Sequence, residues 1–371
     1  MGQNLSVKKR YPIRKHKKSS SDASNSSDGS ASSASLDPSS HRSSGSNFQY
    51  IEGRRYHIAE QTRYALPDDD EEVYRLQVVH YLLRYIWSSN FSAPVEDMLR
   101  DGGHVLDVGC GPGTWTLELA SEYQQSTFVG VDISPMFPSE IKPKNVSFLQ
   151  LNATNGLPFP DDTFDYVFVR WLTTAFTEEQ WKSAILPELV RVCKPGGWIE
   201  LGEPDMRLVN LGTNGSRWNA ALATYLNKNQ INPSTCYTLP DLVSSFNSLS
   251  QLSTDSRDIK LGSWGGKEGA LAAQDCSDFM KAIGPRLYEL LEMDGEEYAR
   301  FVEMAMQEFE TGGRSFMRYF RIWARKDHGM NGLRGEMKKK NKDKKLMKER
   351  VDVKERVDVK TINEMSNAVG M

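Results

Sequence analysis

Residues 104–115, His-Val-Leu-Asp-Val-Gly-Cys-Gly-Pro-Gly-Thr-Trp, constrain this chain more than any other stretch. Val105, Leu106 and Val108 form the near-continuous apolar run of a strand covered on both faces, as in a parallel sheet. Gly109, Gly111 and Gly113 follow, removing side chains where a backbone must turn sharply or approach a ligand. Residues 114–123, with Trp115, Leu117, Leu119 and Ala120, then read as a helix whose N-terminus faces the turn. This strand–turn–helix predicts a ligand site. The other reading, a tight connection and nothing more, fits poorly with three glycines in five residues behind an acid-bearing strand.

A second apolar run, Phe128, Val129 and Val131, ends in Asp132. The 23 residues from Gly109 to Asp132 suit a carboxylate at the end of the neighbouring strand, where it accepts both ribose hydroxyls of a nucleoside. A dinucleotide would call for G-x-G-x-x-G and helix-end amides on a pyrophosphate. Here the spacing is G-x-G-x-G, and Asp107 stands before it. A carboxylate there repels a pyrophosphate but orients an ammonium, directly or through water. The ligand reads as a nucleoside joined to an amino acid.

S-Adenosylmethionine answers that description. Residues 104–115 and Asp132 resemble the first motif and the ribose acid of class I S-adenosylmethionine-dependent methyltransferases, of the UbiE (type 11) kind. The resemblance implies an α/β, Rossmann-like fold: a seven-stranded, mostly parallel sheet with helices on both faces. Residues 148–153 and 157–159 look like the third strand and the loop beside adenine, 164–169 like the fourth strand, 178–193 like an amphipathic helix, and 194–197 like the turn into a strand at 198–201. The implied cofactor residues are Asp107, Gly109, Cys110, Gly111, Gly113, Asp132, Ile133, Asn152, Ala153 and Arg170. Many relatives carry Asp where this chain has Asn152, and an amide both donates and accepts. On the acceptor side stand Arg170, Trp171 and Glu203. Arg170 binds an acidic substrate or pairs with a surface acid; Glu203 acts as a base or caps its strand. The Asn/Asp-Pro-Pro-aromatic signature of amide and adenine methyltransferases is replaced by Arg170-Trp171-Leu172-Thr173, which weighs against those acceptors. Residues 64–67 (Tyr-Ala-Leu-Pro), Glu71, Glu72, Arg75 and Leu76, with the phrase at 196–200, are similar to fungal LaeA-type regulators, a likeness that fixes no substrate. Two functions follow: methyl transfer to a small-molecule or protein acceptor, or a cofactor-binding regulator or scaffold without turnover.

The rest of the chain divides by composition. Residues 1–46 form a basic, then Ser-rich tail expected to be disordered; 47–328 hold the folded domain, with core 100–203 and lid and C-terminal elements 204–328; 329–371 form a charged tail expected to be flexible. The net charge of −3 hides basic ends, +7 over residues 1–18 and +5 from residue 331, around a middle of −15. An acidic body argues against a nucleic-acid surface. Cys110, Cys193, Cys236 and Cys276 show no metal-ligand spacing, so no metal site and reduced intracellular thiols are expected. Gly2 and Ser6 match the N-myristoylation pattern, and the basic cluster behind them supplies the second signal for reversible membrane anchoring. The expected location is cytoplasmic with that anchor; the same cluster also fits nuclear localisation. The sequence leaves the oligomeric state open.

Ordered structure is expected from the aromatic-rich residues Phe48, Tyr50, Ile51, Tyr56, Ile58 and Tyr64. Asp68, Glu71 and Glu72 start a helix carrying Val73, Leu76, Val79, His80, Leu83 and Ile86, placed to lie over the ligand. His80 reads as a satisfied core histidine. Tyr56, Tyr64 and Arg75 read either as ligand contacts or as packing. Beyond residue 203 the sequence predicts a helix near 218–226 in a loop-rich lid, an edge strand at 257–264, a helix holding Phe279, Ile283, Leu287 and Leu290, a helix at 298–309 and a final strand at 316–323.

Overall fold

The computed structural model describes residues 48–57 and 65–328. Gly2, the basic cluster, the serine-rich segment, Ile58, Tyr64 and everything from residue 329 lie outside them. The chain opens on a hairpin, β1 (Phe48–Ile51) and β2 (Arg54–His57), followed by α1 (Asp70–Trp87) and α2 (Glu96–Asp101). The core then alternates β3 (His104–Val108), α3 (Thr114–Glu122), β4 (Thr127–Asp132), β5 (Val146–Gln150), β6 (Phe164–Arg170), α4 (Glu178–Gln180), α5 (Leu186–Val192) and β7 (Cys193–Pro204). The last third holds α6 (Thr213–Lys228), α7 (Thr235–Ser244), β8 (Leu249–Lys260), α8 (Gly266–Ile283), α9 (Tyr288–Leu291), α10 (Gly295–Thr311) and β9 (Phe316–Lys326).

Seven strands make one sheet in the order β5-β4-β3-β6-β7-β9-β8. The first five run parallel; β9 is antiparallel to both β7 and β8. The expected seven-stranded, mostly parallel architecture is therefore present. Period-2 alternation in β3 splits its side chains between two cores. Leu106 and Val108 join Trp181, Ile185 and Leu189 on one face, while Val105 joins Leu99, Trp115 and Leu119 on the other. A third core, with Trp218, Met280, Phe301 and Val302, binds α6, α8 and α10 to one another.

Four local expectations needed correction. The helix foreseen over 178–193 is interrupted by a π turn at Trp181–Ile185, where Leu186 N–H reaches back to Trp181 O; Pro187 next to it has no N–H to continue the α ladder. The edge strand starts at Leu249, not 257, and ends before Trp264. Its polar residues and its kink at Gln251 (φ +52°) hide an edge paired only with β9. The loop-rich lid contains α7, with Pro240 inside it. Finally, β7 extends past Leu201, so Glu203 lies within a strand.

Asp69 caps α1 by accepting from Glu72 N–H at 3.1 Å. Its neighbour Asp68 is buried and accepts from Arg55 Nε at 2.9 Å and from Ser134 Oγ at 2.9 Å. Asp68 thus joins the N-terminal hairpin to the loop that follows β4, one residue before the Asp69 cap at which α1 begins.

Candidate cofactor site

Every chain end that builds the site lies at the carboxyl edge of the parallel strands, where β4 and β6 flank β3 and open α/β sheets leave a crevice. The glycine turn is pinned to β4: Gly109 N–H and Cys110 N–H both donate to Val131 O, at 2.8 and 3.1 Å, and Gly113 N–H donates to Cys110 O at 2.9 Å. Gly109 and Gly113 have φ of +73° and +75°. A Cβ on Gly109 would stand 2.7 Å from Leu172, and one on Gly113 2.5 Å from Phe148, so both positions exclude a side chain on two counts.

Asp132 closes this turn. Its Oδ2 accepts from Gly111 N–H at 2.7 Å and its Oδ1 from Ser134 N–H at 2.9 Å. Burial raises its pKa, opposed by those backbone donors. A carboxylate has about four lone-pair sites, so two N–H bonds leave it able to accept from a diol as well.

The turn opens on a cavity of about 110 Å³ lined by Gly109, Cys110, Gly111, Thr114, Asp132, Ile133, Asn152, Ala153 and Arg170, with Leu76 and Val79 of α1 across from them. The structure thus brings together eight of the ten expected cofactor residues, and α1 does lie over them. Asp107 and Gly113 stand behind the wall. Asp107 is buried and accepts from Thr116 Oγ1 at 2.6 Å; burial pushes its pKa up to about 6. Gly113 serves the turn and the close approach of Phe148. Burial likewise raises the Cys110 thiol. Asn152 spends its Oδ1 on Thr154 N–H and Oγ1, at 3.0 and 2.8 Å, which leaves its NH₂ as the group to offer a ligand.

Sequence reasoning missed one contributor and part of the role of another. Thr114 Oγ1, on the cavity wall at the start of α3, is buried with no hydrogen-bond partner among the described residues. His80 is fully buried between Glu118 and Arg170: Glu118 Oε2 meets Nε2, and both terminal nitrogens of Arg170 lie 3.3 Å from Nδ1. Burial, then the cations Arg170 and Arg84, lower its pKa to about 3. A neutral ring fits this geometry in one tautomer, with Nε2–H donating to Glu118 and Nδ1 accepting from Arg170. His80 is the satisfied core histidine expected, and it also aims Arg170.

The acceptor-side residues separate. Arg170 and Trp171 line the cavity; Glu203 does not. Glu203 is fully buried, its Oε1 accepting from Leu172 N–H at 3.0 Å and its Oε2 from Thr173 N–H and Oγ1 at 2.8 and 2.7 Å. Glu203 thus holds the turn that follows β6 and does not cap its own strand, inside which it lies. The clamp holds a turn in which Trp171 has φ +61°, a conformation costly for a bulky side chain. Tyr56 packs and donates to Ala282 O at 3.0 Å. Arg75 is held by Glu72 and Asp275, off the cofactor cavity. The four cysteines are free thiols. Among the described residues there is no cluster that would hold a metal and no helix long and apolar enough to cross a membrane.

Comparison with known proteins agrees with this geometry. A family profile described as a methyltransferase domain matches residues 105–197. The methyltransferase str3 of Strobilurus tenacellus is 31% identical over 147 residues, 40% of this chain and 50% of that protein. The secondary metabolism regulator laeA of Aspergillus flavus is 30% identical over 159 residues, covering 41% and 40%. The chain spans about half the length of the curated relatives it matches, or less. Among solved structures, phosphoethanolamine N-methyltransferase 2 of Haemonchus contortus aligns over 68% of this chain and 58% of its own, with 14% identity and a TM-score of 0.42. Residues 105–197 thus match a methyltransferase domain, and the relatives that match are methyltransferases and regulators of the laeA kind.

Proposed function

We propose that this protein binds S-adenosylmethionine in the crevice below α1 and transfers its methyl group to an acceptor that enters beside Trp171. The observation that carries the reading is the convergence on one cavity of an acid at the end of β4, an amide after β5, an unpartnered hydroxyl at the start of α3 and a cation at the end of β6. Asp132 takes the ribose hydroxyls on its free lone pairs. The Asn152 NH₂ donates to an adenine ring nitrogen, since its oxygen is already engaged. Thr114 Oγ1 and Arg170 hold the amino-acid carboxylate, and Leu151 and Phe176 flank the apolar part of the ligand. When bound, the cofactor supplies a methyl group on a sulfonium, which an in-line lone pair displaces to leave S-adenosylhomocysteine. The chain's contribution is alignment and exclusion of water. Relatives named as methyltransferases support turnover.

Calorimetry with S-adenosylhomocysteine tests this. The parent chain binds, and Asp132→Ala weakens binding at least a hundredfold, because two hydrogen bonds to a charged acceptor are worth about 3 kcal/mol or more together. Undiminished binding by the variant refutes the assignment. The second reading, a regulator without turnover, draws on the likeness to laeA; a labelled-methyl assay on fractionated extract that showed no transfer would favour it.

A further inference from the structure

The segment between β4 and β5, residues 133–145, holds no helix or strand, and it starts directly behind the acid assigned to the ribose. Ser134 anchors that start. It is fully buried and donates to two different carboxylates. Its N–H reaches Asp132 Oδ1 at 2.9 Å, the turn an Asp side chain makes with the backbone two residues on. Its hydroxyl reaches Asp68 Oδ2 at 2.9 Å. A hydroxyl has one proton to donate, so this one is committed to Asp68.

Asp68 comes from another part of the chain. It precedes α1 and lies outside residues 105–197, the segment that matches the family profile. The hairpin holds it in place: Arg55 Nε donates to Oδ1 at 2.9 Å, Arg55 Nη2 to the Asp68 carbonyl at 2.6 Å, and Asp68 N–H to Arg55 O at 2.8 Å. A buried carboxylate is tolerated only where donors surround it, so Asp68 keeps Ser134 and Arg55 in one arrangement. Hydrogen bonds thus run from Arg55 through Asp68 and Ser134 to Asp132, and from Asp132 to Gly111 of the glycine turn.

Direction matters at Asp132. Two backbone N–H groups hold its carboxylate, and the lone pairs left over must meet the ribose hydroxyls within the angular range of a hydrogen bond. Gly111 belongs to a turn already pinned to β4. Ser134 N–H belongs to no strand or helix, and the hydroxyl tie to Asp68 stands in for one.

We propose that Asp68 and Ser134 are positioning residues for the cofactor: their hydrogen bond fixes Ser134 N–H, and through it the lone pairs with which Asp132 accepts the ribose hydroxyls. This rests on the reading of Asp132 as the ribose acid. Neither residue lines the crevice, yet both govern how it grips the ribose.

The test uses the full chain and calorimetry with two ligands, S-adenosylhomocysteine and its 2′,3′-dideoxy analogue, which lacks both ribose hydroxyls. The parent is expected to prefer S-adenosylhomocysteine by about thirtyfold or more, the worth of two hydroxyls on a carboxylate. Ser134→Ala keeps the N–H and removes only the hydroxyl. It weakens S-adenosylhomocysteine by about five- to tenfold, the worth of one hydrogen bond, and leaves the analogue almost unmoved, so the preference shrinks. Asp68→Ala does the same, and the double variant is no weaker than the more affected single one, because both changes break one bond. A general loosening of the fold would weaken both ligands alike. Thermal melts identify a variant that fails to fold; Ser134→Ala, the milder change, then carries the test. Equal weakening of the two ligands by the folded variants, or S-adenosylhomocysteine binding unmoved by them, overturns the proposal. A parent that binds both ligands equally overturns the assignment of Asp132 to the ribose instead, so the two failures are distinguishable.

Discussion

Replacing Glu203 by Gln separates a clamp from a catalytic base. In the parent, Oε1 takes one N–H and Oε2 takes an N–H and a hydroxyl. Glutamine keeps one oxygen. Placed on the Thr173 side, it retains two bonds and turns its NH₂ toward Leu172 N–H, donor against donor. Leaving one buried donor unsatisfied costs about 2 kcal/mol, a fall in melting temperature of about 5 °C for a domain of this size. Charge acts in the opposite sense. Burial raises the Glu203 pKa from 4.5 to about 7, against the pull of its donors and Arg170. A carboxyl whose folded pKa is raised binds its proton more tightly folded than unfolded, so its contribution to stability is present below the unfolded value and is lost as pH rises to the folded one. Between pH 4.5 and 7 the parent therefore loses on the order of 3 kcal/mol through this group, and the glutamine variant does not. Urea melts at pH 5 and pH 8 should show the variant clearly weaker at pH 5 and close to the parent at pH 8. A difference in stability that is the same at both pH values refutes the buried-charge argument. Unchanged stability at both, with methyl transfer abolished and S-adenosylhomocysteine binding intact, refutes the clamp and restores the base.

Two further predictions test other parts of the site. Gly113→Ala places a Cβ 2.5 Å from Phe148 at φ +75°, and is expected to destabilise the fold by about 2–4 kcal/mol by denaturant melt; a cost below 1 kcal/mol would show that the turn relaxes freely. His80, neutral down to about pH 3, should show the Nε2–H tautomer by nitrogen NMR throughout pH 5–8, and His80→Phe should free Arg170 and weaken S-adenosylhomocysteine five- to tenfold; an imidazole titration near pH 6.5 would refute this arrangement.

The parallel half of the sheet was legible because its strands are short, doubly buried and punctuated by glycine and acid: Val105, Leu106 and Val108, then Gly109, then Asp132. The lid was not, for three physical reasons. The polar edge strand β8 lacks the apolar alternation that signals a half-buried strand, and α7 carries a proline in mid-helix. The polar core joins residues far apart in sequence, as in Arg75 with Asp275 or His80 with Glu118 and Arg170. In the site itself, residue types identified the cavity wall, but direction decided function. Glu203 has the chemistry of a ligand contact and spends both oxygens on neighbouring chain groups, while Asp107 gives one oxygen to Thr116.

The placement of β9 between β7 and β8 has a consequence for how this protein is made. Strand β7 is complete at Pro204 and β8 at Lys260, yet neither pairs with the other; both wait for Phe316–Lys326. While a ribosome adds the intervening residues, the nascent sheet presents an open edge on β7, which is a template for pairing with another chain. The same delay leaves unfinished a small apolar cavity beside Trp171, lined also by Trp218 and Phe279, because its wall includes Met317. That cavity is therefore among the last features to form during synthesis, after the crevice at the glycine turn has all its wall residues in hand.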